Sequence, residues 1–438
     1  MGFDFTTEQV KAIAPDTASL ANARKLSNRK HWANLGHNEL ALWGECQGSA
    51  LYQVKVELST LTAQCSCPSR KQPCKHCLGL LLLTSTMGEE ITSGDPPDWV
   101  TAWLEKRAAS LQRKESKQTK EHTAPSEKTV ARRQKLVEQG LARLDLWLSD
   151  LVRTGLASAE THPETYWSDM AKQMVDNQLP GVATRIRRLG ESIHASPDWT
   201  EKLLVQSGQL TLLSQAYRNI DTLQPNLQDE VRTQLGWALT EDEVLARGEH
   251  VRDTWLFLGS TLEETDKGTT QRTWLYGEGS KRTAMLIQFA PRVNPAFARV
   301  YPFGMRQAVE LAYWPGAAPS RALIVEQQGE LRPFERTLPG EETIDAFLNQ
   351  VALTLARHPW QDTFLCVLRD VVPVLDQKRW LLCDNTGQAL PLAKGEHWRL
   401  LALSGGHASH FAGIWNGEVL TPLGILAEGR YYSLSEGR

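Results

Sequence analysis

At 438 residues the chain is too long for one ordinary hydrophobic core, so two to four domains are expected. Apolar residues make up 41% and charged residues 23%, as in water-soluble globular proteins, and no apolar run approaches the ~20 residues a membrane span needs. The net charge of −3 excludes a protein wrapped in nucleic acid along its length, but residues 1–135 sum to about +5 and the rest to about −8, which leaves room for a local basic footprint.

Residues 18–36 are predicted to be helical: Leu20, Ala23 and Leu26 fall on one face and Arg24, Lys25, Arg29 and Lys30 on another. Residues 40–43 suggest a short strand and Gly44 to Ser49 a turn. Leu51 to Ser59 alternates, with Tyr52, Val54, Val56 and Leu58 on one face and Gln53, Lys55 and Glu57 on the other, as a half-buried strand does. This hairpin delivers the chain to the densest chemistry in the sequence, Cys65-Ser66-Cys67 and, after six intervening residues, Cys74-Lys75-His76. Three thiols and an imidazole within a dozen residues make a closed tetrahedral zinc site, the structural kind with no position left for substrate. Side chains two apart on a strand share a face, so Cys65 and Cys67 can reach one ion, and the apolar run after His76 suits a buried helix. Cys46 is placed in the hairpin loop as a non-ligand, and Cys77 is read as a small core residue directed away from the ion. Seven cysteines, mostly crowded here, do not resemble a secreted disulfide framework, and Met1 to Thr7 is no signal segment, so a reduced cytoplasmic setting is expected.

Cys-x-Cys…Cys-x-His with this spacing, behind Trp43-Gly44-Glu45-Cys46-Gln47-Gly48-Ser49, resembles the SWIM-type zinc finger of bacterial proteins, a small ββα module. The resemblance implies Zn2+ on Cys65, Cys67, Cys74 and His76, and a role in binding protein or DNA rather than catalysis. It also implies partners: some similar bacterial proteins are encoded beside MoxR-type AAA+ ATPases and von Willebrand A proteins. Arg70, Lys71 and Lys75 flank the ligands; they compensate the net negative charge that three thiolates leave on zinc, and with Arg24, Lys25, Arg29 and Lys30 they are the candidate nucleic-acid contacts.

Trp99, Val100, Trp103 and Leu104 suggest a helix closing this module, and the charged tract Lys106 to Lys135 a solvated helix or linker. Beyond it Val137, Leu141, Leu144, Leu148 and Leu151 step four and three residues apart. Val182, Ile186, Leu189 and Ile193 repeat the rhythm, as do Leu210, Leu213, Tyr217 and Ile220, so packed helical hairpins are expected. Trp147, Trp167, Trp199 and Trp237 belong to that core. After His250 short strands dominate, at Thr254–Leu258, Arg272–Tyr276, Ala284–Phe289, Ala322–Glu326, Leu381–Cys383 and Ala389–Leu392, with one helix over Glu341–Ala356 and a tight type I′ turn at Asn416-Gly417.

No phosphate-cradling loop, nucleophile elbow or His-Glu-x-x-His helix occurs, and Ser404 to His410, with His407 and His410, is read as a turn between strands. The expected architecture is α+β and multidomain: a ββα zinc-finger domain over 1–104, a charged linker over 105–135, a helical domain over 136–249 and a mostly antiparallel β domain over 250–438. The expected function is a non-enzymatic zinc-containing adaptor, with DNA binding through the finger as the alternative.

Overall fold

The computed structural model describes residues 10, 14, 17–107 and 127–434, apart from residues 49, 59–61, 70, 72, 88–90, 238, 266, 293–296, 298, 300 and 335–337 and the side chains of 127–130. The fold is α+β, with N-terminal strands and a Cys/His cluster beside them, a helical middle and a β-rich C-terminal region.

In the N-terminal module α1 (Thr17–Leu26) leads into an antiparallel sheet of β1 (Trp32–His37), β2 (Ala41–Gln47), β3 (Leu51–Glu57) and β4 (Thr62–Cys65), paired in chain order. The helix expected over 18–36 therefore stops at Leu26. Asn28 caps a 3-10 turn, the Trp32 indole N–H donates to the Leu26 carbonyl at 2.6 Å, and the ladder with β2 claims residues 32–37. Of the turn expected over 44–49, Gly44 to Gln47 instead continue β2, residue 49 lies outside the described residues, and a side chain at Gly44 would meet Leu35 at 2.5 Å. Glycine marks a crossing there, not a bend.

One sheet face, with Leu42, Cys46, Val54 and Val56, is covered by α2 (Lys75–Met87), whose Leu78 and Leu80 to Leu83 are buried. On its far side α2 meets α1 at Gly79, where a Cβ would stand 2.9 Å from that of Leu26. The other sheet face receives a helix over residues 98–107, α3, through Ala41, Trp43 and Val100. Lys55 lies 5.5 and 5.7 Å from the Trp99 and Trp103 rings, and Arg107 pairs with Glu57 at 2.9 Å. The "solvent" face of the alternating strand is thus clamped by a helix.

Of the charged tract, Lys114, Lys117 and Lys120 lie outside the described residues; from Glu127 the chain is already helical, in α4 (Glu127–Thr154). There follow α5 (Glu164–Asp176), α6 (Pro180–Ser192), α7 (Trp199–Arg218), α8 (Pro225–Leu235) and α9 (Glu241–Arg247). The stepped residues Val137, Leu141, Leu144, Leu148, Leu151, Val182, Ile186, Leu189, Leu210 and Leu213 form one buried core, while Ile193, Tyr217 and Ile220 pack at its edge. Trp167 is inside it, and Trp147, Trp199 and Trp237 sit half-buried at its rim. At Gly181 and Gly236 the backbones of α6 and α8 touch: a Cβ on Gly181 would lie 2.2 Å from the Gln234 carbonyl, and Gly236 takes φ +95°.

The C-terminal region holds two antiparallel sheets. β5 (His250–Thr265), β6 (Gly268–Gly277), β7 (Thr283–Pro291), β8 (Met305–Tyr313) and β9 (Ala322–Pro333) form one, in the order β7-β6-β5-β8-β9. After α10 (Ile344–Arg357) come β10 (Phe364–Asp376), β11 (Arg379–Cys383), β12 (Ala389–Pro391), α11 (Trp398–Ser404), β13 (Ser409–Trp415), β14 (Leu420–Ala427) and β15 (Arg430–Ser433). These strands order as β12-β11-β10-β13-β14-β15. β10 is buried on both faces: Leu365 and Val367 meet Leu256, Leu258, Trp274 and Tyr276 of the first sheet, while Phe364, Cys366 and Leu368 meet Ile344, Phe347 and Val351 of α10. The Asn416-Gly417 connection is a four-residue loop joining Trp415 to Leu420, not a two-residue type I′ turn. Only Gly417 has positive φ, and the Asn416 side chain instead accepts the Glu418 and Val419 N–H groups.

Candidate metal centre

β4, the bend after it and the start of α2 place the donor atoms. Strand β4 ends at Cys65, and the Gln53 N–H, donating to Ser66 Oγ at 2.9 Å, ties the following bend to β3. Cys67 is therefore beyond the strand, not two residues along it; it is turned toward Cys65 because its own N–H points at the Cys65 sulfur, 3.4 Å away. Cys74 immediately precedes α2, where its carbonyl accepts the Leu78 N–H at 3.0 Å, and His76 lies in the first helical turn, buried under the Tyr52 ring at 4.9 Å.

The donor atoms of Cys65, Cys67, Cys74 and His76 all fall within 4.8 Å of one another. Cys67 Sγ to Cys74 Sγ is 3.6 Å, and His76 Nδ1 is 3.7 Å from Cys65 Sγ and 3.9 Å from Cys74 Sγ. A tetrahedral zinc with the usual bond lengths needs S···S edges of about 3.8 Å and S···N edges of about 3.6 Å. The residues fit the ion. Without it, hydrogen bonds from Cys65 and Cys77 pull the Cys74 thiol far down. Its bond to Cys74 pushes Cys65 up, burial pushes Cys67 up, and the bonds to Cys65 and Cys74 push Cys77 up. Metal ligation needs the thiolates, so binding zinc here would release the protons of its cysteine ligands.

Residues 52–84 match the family model of the SWIM zinc finger. The chain carries a SWIM zinc finger. Zinc is its cofactor. Residues 132–235 match a second family model, the SWIM-associated four-helix bundle domain, which coincides with the core of α4 to α8. No curated protein and no solved structure matches the chain.

Around the SWIM finger, Cys46 lies in β2 rather than in a loop, fully buried, with burial pushing its thiol up to about 11. Cys77 is a buried core residue, as expected, and outside the four-donor cluster, but its sulfur is 3.6 Å from that of Cys74. The Cys-x-x-Cys spacing of Cys74 and Cys77 was the available signal. Lys71, Lys75, Arg24, Lys25, Arg29 and Lys30 are exposed, and Arg70 lies outside the described residues. Arg29 donates to the Trp32 carbonyl at 2.7 Å. Because Ala23 and Leu26 contact Gly79, the basic end of α1 rests on the helix that begins with Lys75.

In the C-terminal region the Ser404 hydroxyl donates to the Leu401 carbonyl and accepts the Gly406 N–H, and the His407 N–H donates to the Ser404 carbonyl. These are the bonds of a helix end, with His410 already in β13. Cys366 is buried, and burial pushes its thiol well up. Among the described residues no helix is long and apolar enough to cross a membrane.

Proposed function

We propose that the chain is a non-enzymatic, cytoplasmic adaptor in which Cys65, Cys67, Cys74 and His76 ligate a structural zinc and the helical bundle receives a protein partner. The domain partition that goes with it is 1–104 for the finger, 105–135 for a linker, 136–249 for the bundle and 250–438 for the β region. The observation supporting docking is a shallow groove of about 500 Å³ on α4 and α5, lined by Leu146, Trp147, Tyr166 and Met170 with Asp150 and Asp169 at its edge. Leu146 is 69% exposed there although the bundle core beneath is closed. An exposed aromatic and aliphatic groove with an acidic edge suits an apolar segment carrying basic residues.

A MoxR-type AAA+ ATPase or a von Willebrand A protein is the partner class that the resemblance offers. Titrating the zinc-loaded chain against a purified member of each, beside Leu146→Asp, tests it. Binding weakened at least tenfold by the substitution supports the groove. Binding unaffected by it removes the bundle from the interface, and no binding removes this partner class.

A second reading, DNA binding through the SWIM finger, is favoured by the basic end of α1 lying against α2. Its contacts would be Arg24, Lys25, Arg29, Lys30, Arg70, Lys71 and Lys75. Affinity for a short duplex that falls about 10³-fold or more between 50 and 200 mM salt, and is lost on replacing Lys71 and Lys75 with alanine, is the expected outcome for this reading.

A further inference from the structure

Resting on the zinc assignment above, we propose that the SWIM finger has a reserve ligand, Cys77, which replaces His76 to give an all-thiolate centre of Cys65, Cys67, Cys74 and Cys77. Cys74-Lys75-His76-Cys77 places two thiols three residues apart at the start of α2, a spacing that zinc sites use for a ligand pair. The Cys77 sulfur stands 3.6 Å from that of Cys74, close to the edge length of a zinc tetrahedron, and it also shares a hydrogen bond with Cys65. Cys65 and Cys74 thus touch both candidate fourth donors, His76 and Cys77. Cys67 sits in a half-buried bend after β4 rather than in the ladder.

The exchange balances without an oxidant. The zinc–nitrogen bond to His76 breaks, the Cys77 thiol loses its proton, a zinc–sulfur bond forms, and the freed imidazole takes the proton. The centre goes from one net negative charge to two, with an imidazolium beside it. An all-sulfur set favours soft cations, so cadmium gains more from it than zinc does.

The test uses the full chain loaded with cobalt(II) and read by its sulfur-to-cobalt charge-transfer absorption. Wild type shows one cobalt with three thiolates and one nitrogen. His76→Ala is expected to keep one cobalt with charge-transfer intensity higher by about a third, since four thiolates replace three. His76→Ala/Cys77→Ala then falls back to three thiolates and loses about 100-fold or more in metal affinity. Cys77→Ala alone keeps the wild-type spectrum. A three-thiolate spectrum in His76→Ala that the second substitution leaves unchanged overturns the reserve ligand. Failure of wild type to bind cobalt overturns the zinc assignment instead. Should His76→Ala not fold, cadmium NMR of the wild type decides: a four-sulfur resonance lost in Cys77→Ala supports the proposal, and a three-sulfur, one-nitrogen resonance in both proteins overturns it.

Discussion

Cys74 is the residue on which the finger depends most, since its sulfur contacts Cys67, Cys77 and His76 at once. Its replacement by alanine leaves neither donor set complete. Zinc stoichiometry should fall to zero, and residues 17–107 should become protease-sensitive while the β region stays resistant, because structural zinc supplies on the order of 10 kcal/mol or more of folding energy in so small a module. At the other end of the molecule His358 carries a pH dependence. Burial holds its imidazole below the usual value despite Glu230 at 3.2 Å, with Arg185 and Asp362 also facing it. The unfolded chain therefore takes up a proton that the native state resists. The stability contributed is complete above about pH 6.5 and is lost as pH falls toward the native pKa. Urea denaturation across pH 5 to 7.5 should show this loss in the wild type and a flatter profile in His358→Gln.

Elements show where periodicity is trustworthy. The four-and-three steps of α4, α6 and α7 named the bundle core because an amphipathic helix buries one face whatever it packs on. Arg24 to Lys30 carried no comparable stop signal, so β1 was hidden within an expected helix; its strand state is set by pairing with β2, and Asn34 at φ +49° accompanies the register shift that fits it. β8 was unmarked for a similar reason, its polar residues Arg306, Gln307 and Glu310 being tolerated between two neighbouring strands. The close approach of α6 and α8 depends on glycine. Gly181→Ala should destabilise the bundle by about 1–3 kcal/mol, read as a lower thermal midpoint, because the Gln234 carbonyl cannot yield without moving α8.

Across the whole molecule, the loop after α10 ties the β region to the bundle. Trp360, just past the end of α10, is only 5% exposed because it belongs to the bundle core, and its indole N–H donates to the Gln209 carbonyl at 3.0 Å. Gln209 returns a bond to the Pro359 carbonyl, Arg185 donates to the Trp360 carbonyl, and Lys202 pairs with Glu418. Trp360→Ala should cost about 3–5 kcal/mol and split a single denaturation transition into two, followed by tryptophan fluorescence and circular dichroism in parallel. A strong chelator should leave those transitions in place while abolishing protection of residues 17–107.

The zinc chemistry was legible in the sequence because its donors are close in the chain: ligand type and spacing determine what ion they can hold before any long-range contact forms. The bundle core was legible because its period is a local property of each helix. What tertiary structure decided were the meetings of distant segments. Trp360 joins the bundle 125 residues after Leu235 closes it, and α3 turns the polar face of β3 into a covered one. Such contacts leave no period and no motif, since each depends on packing between segments whose separation the sequence does not record.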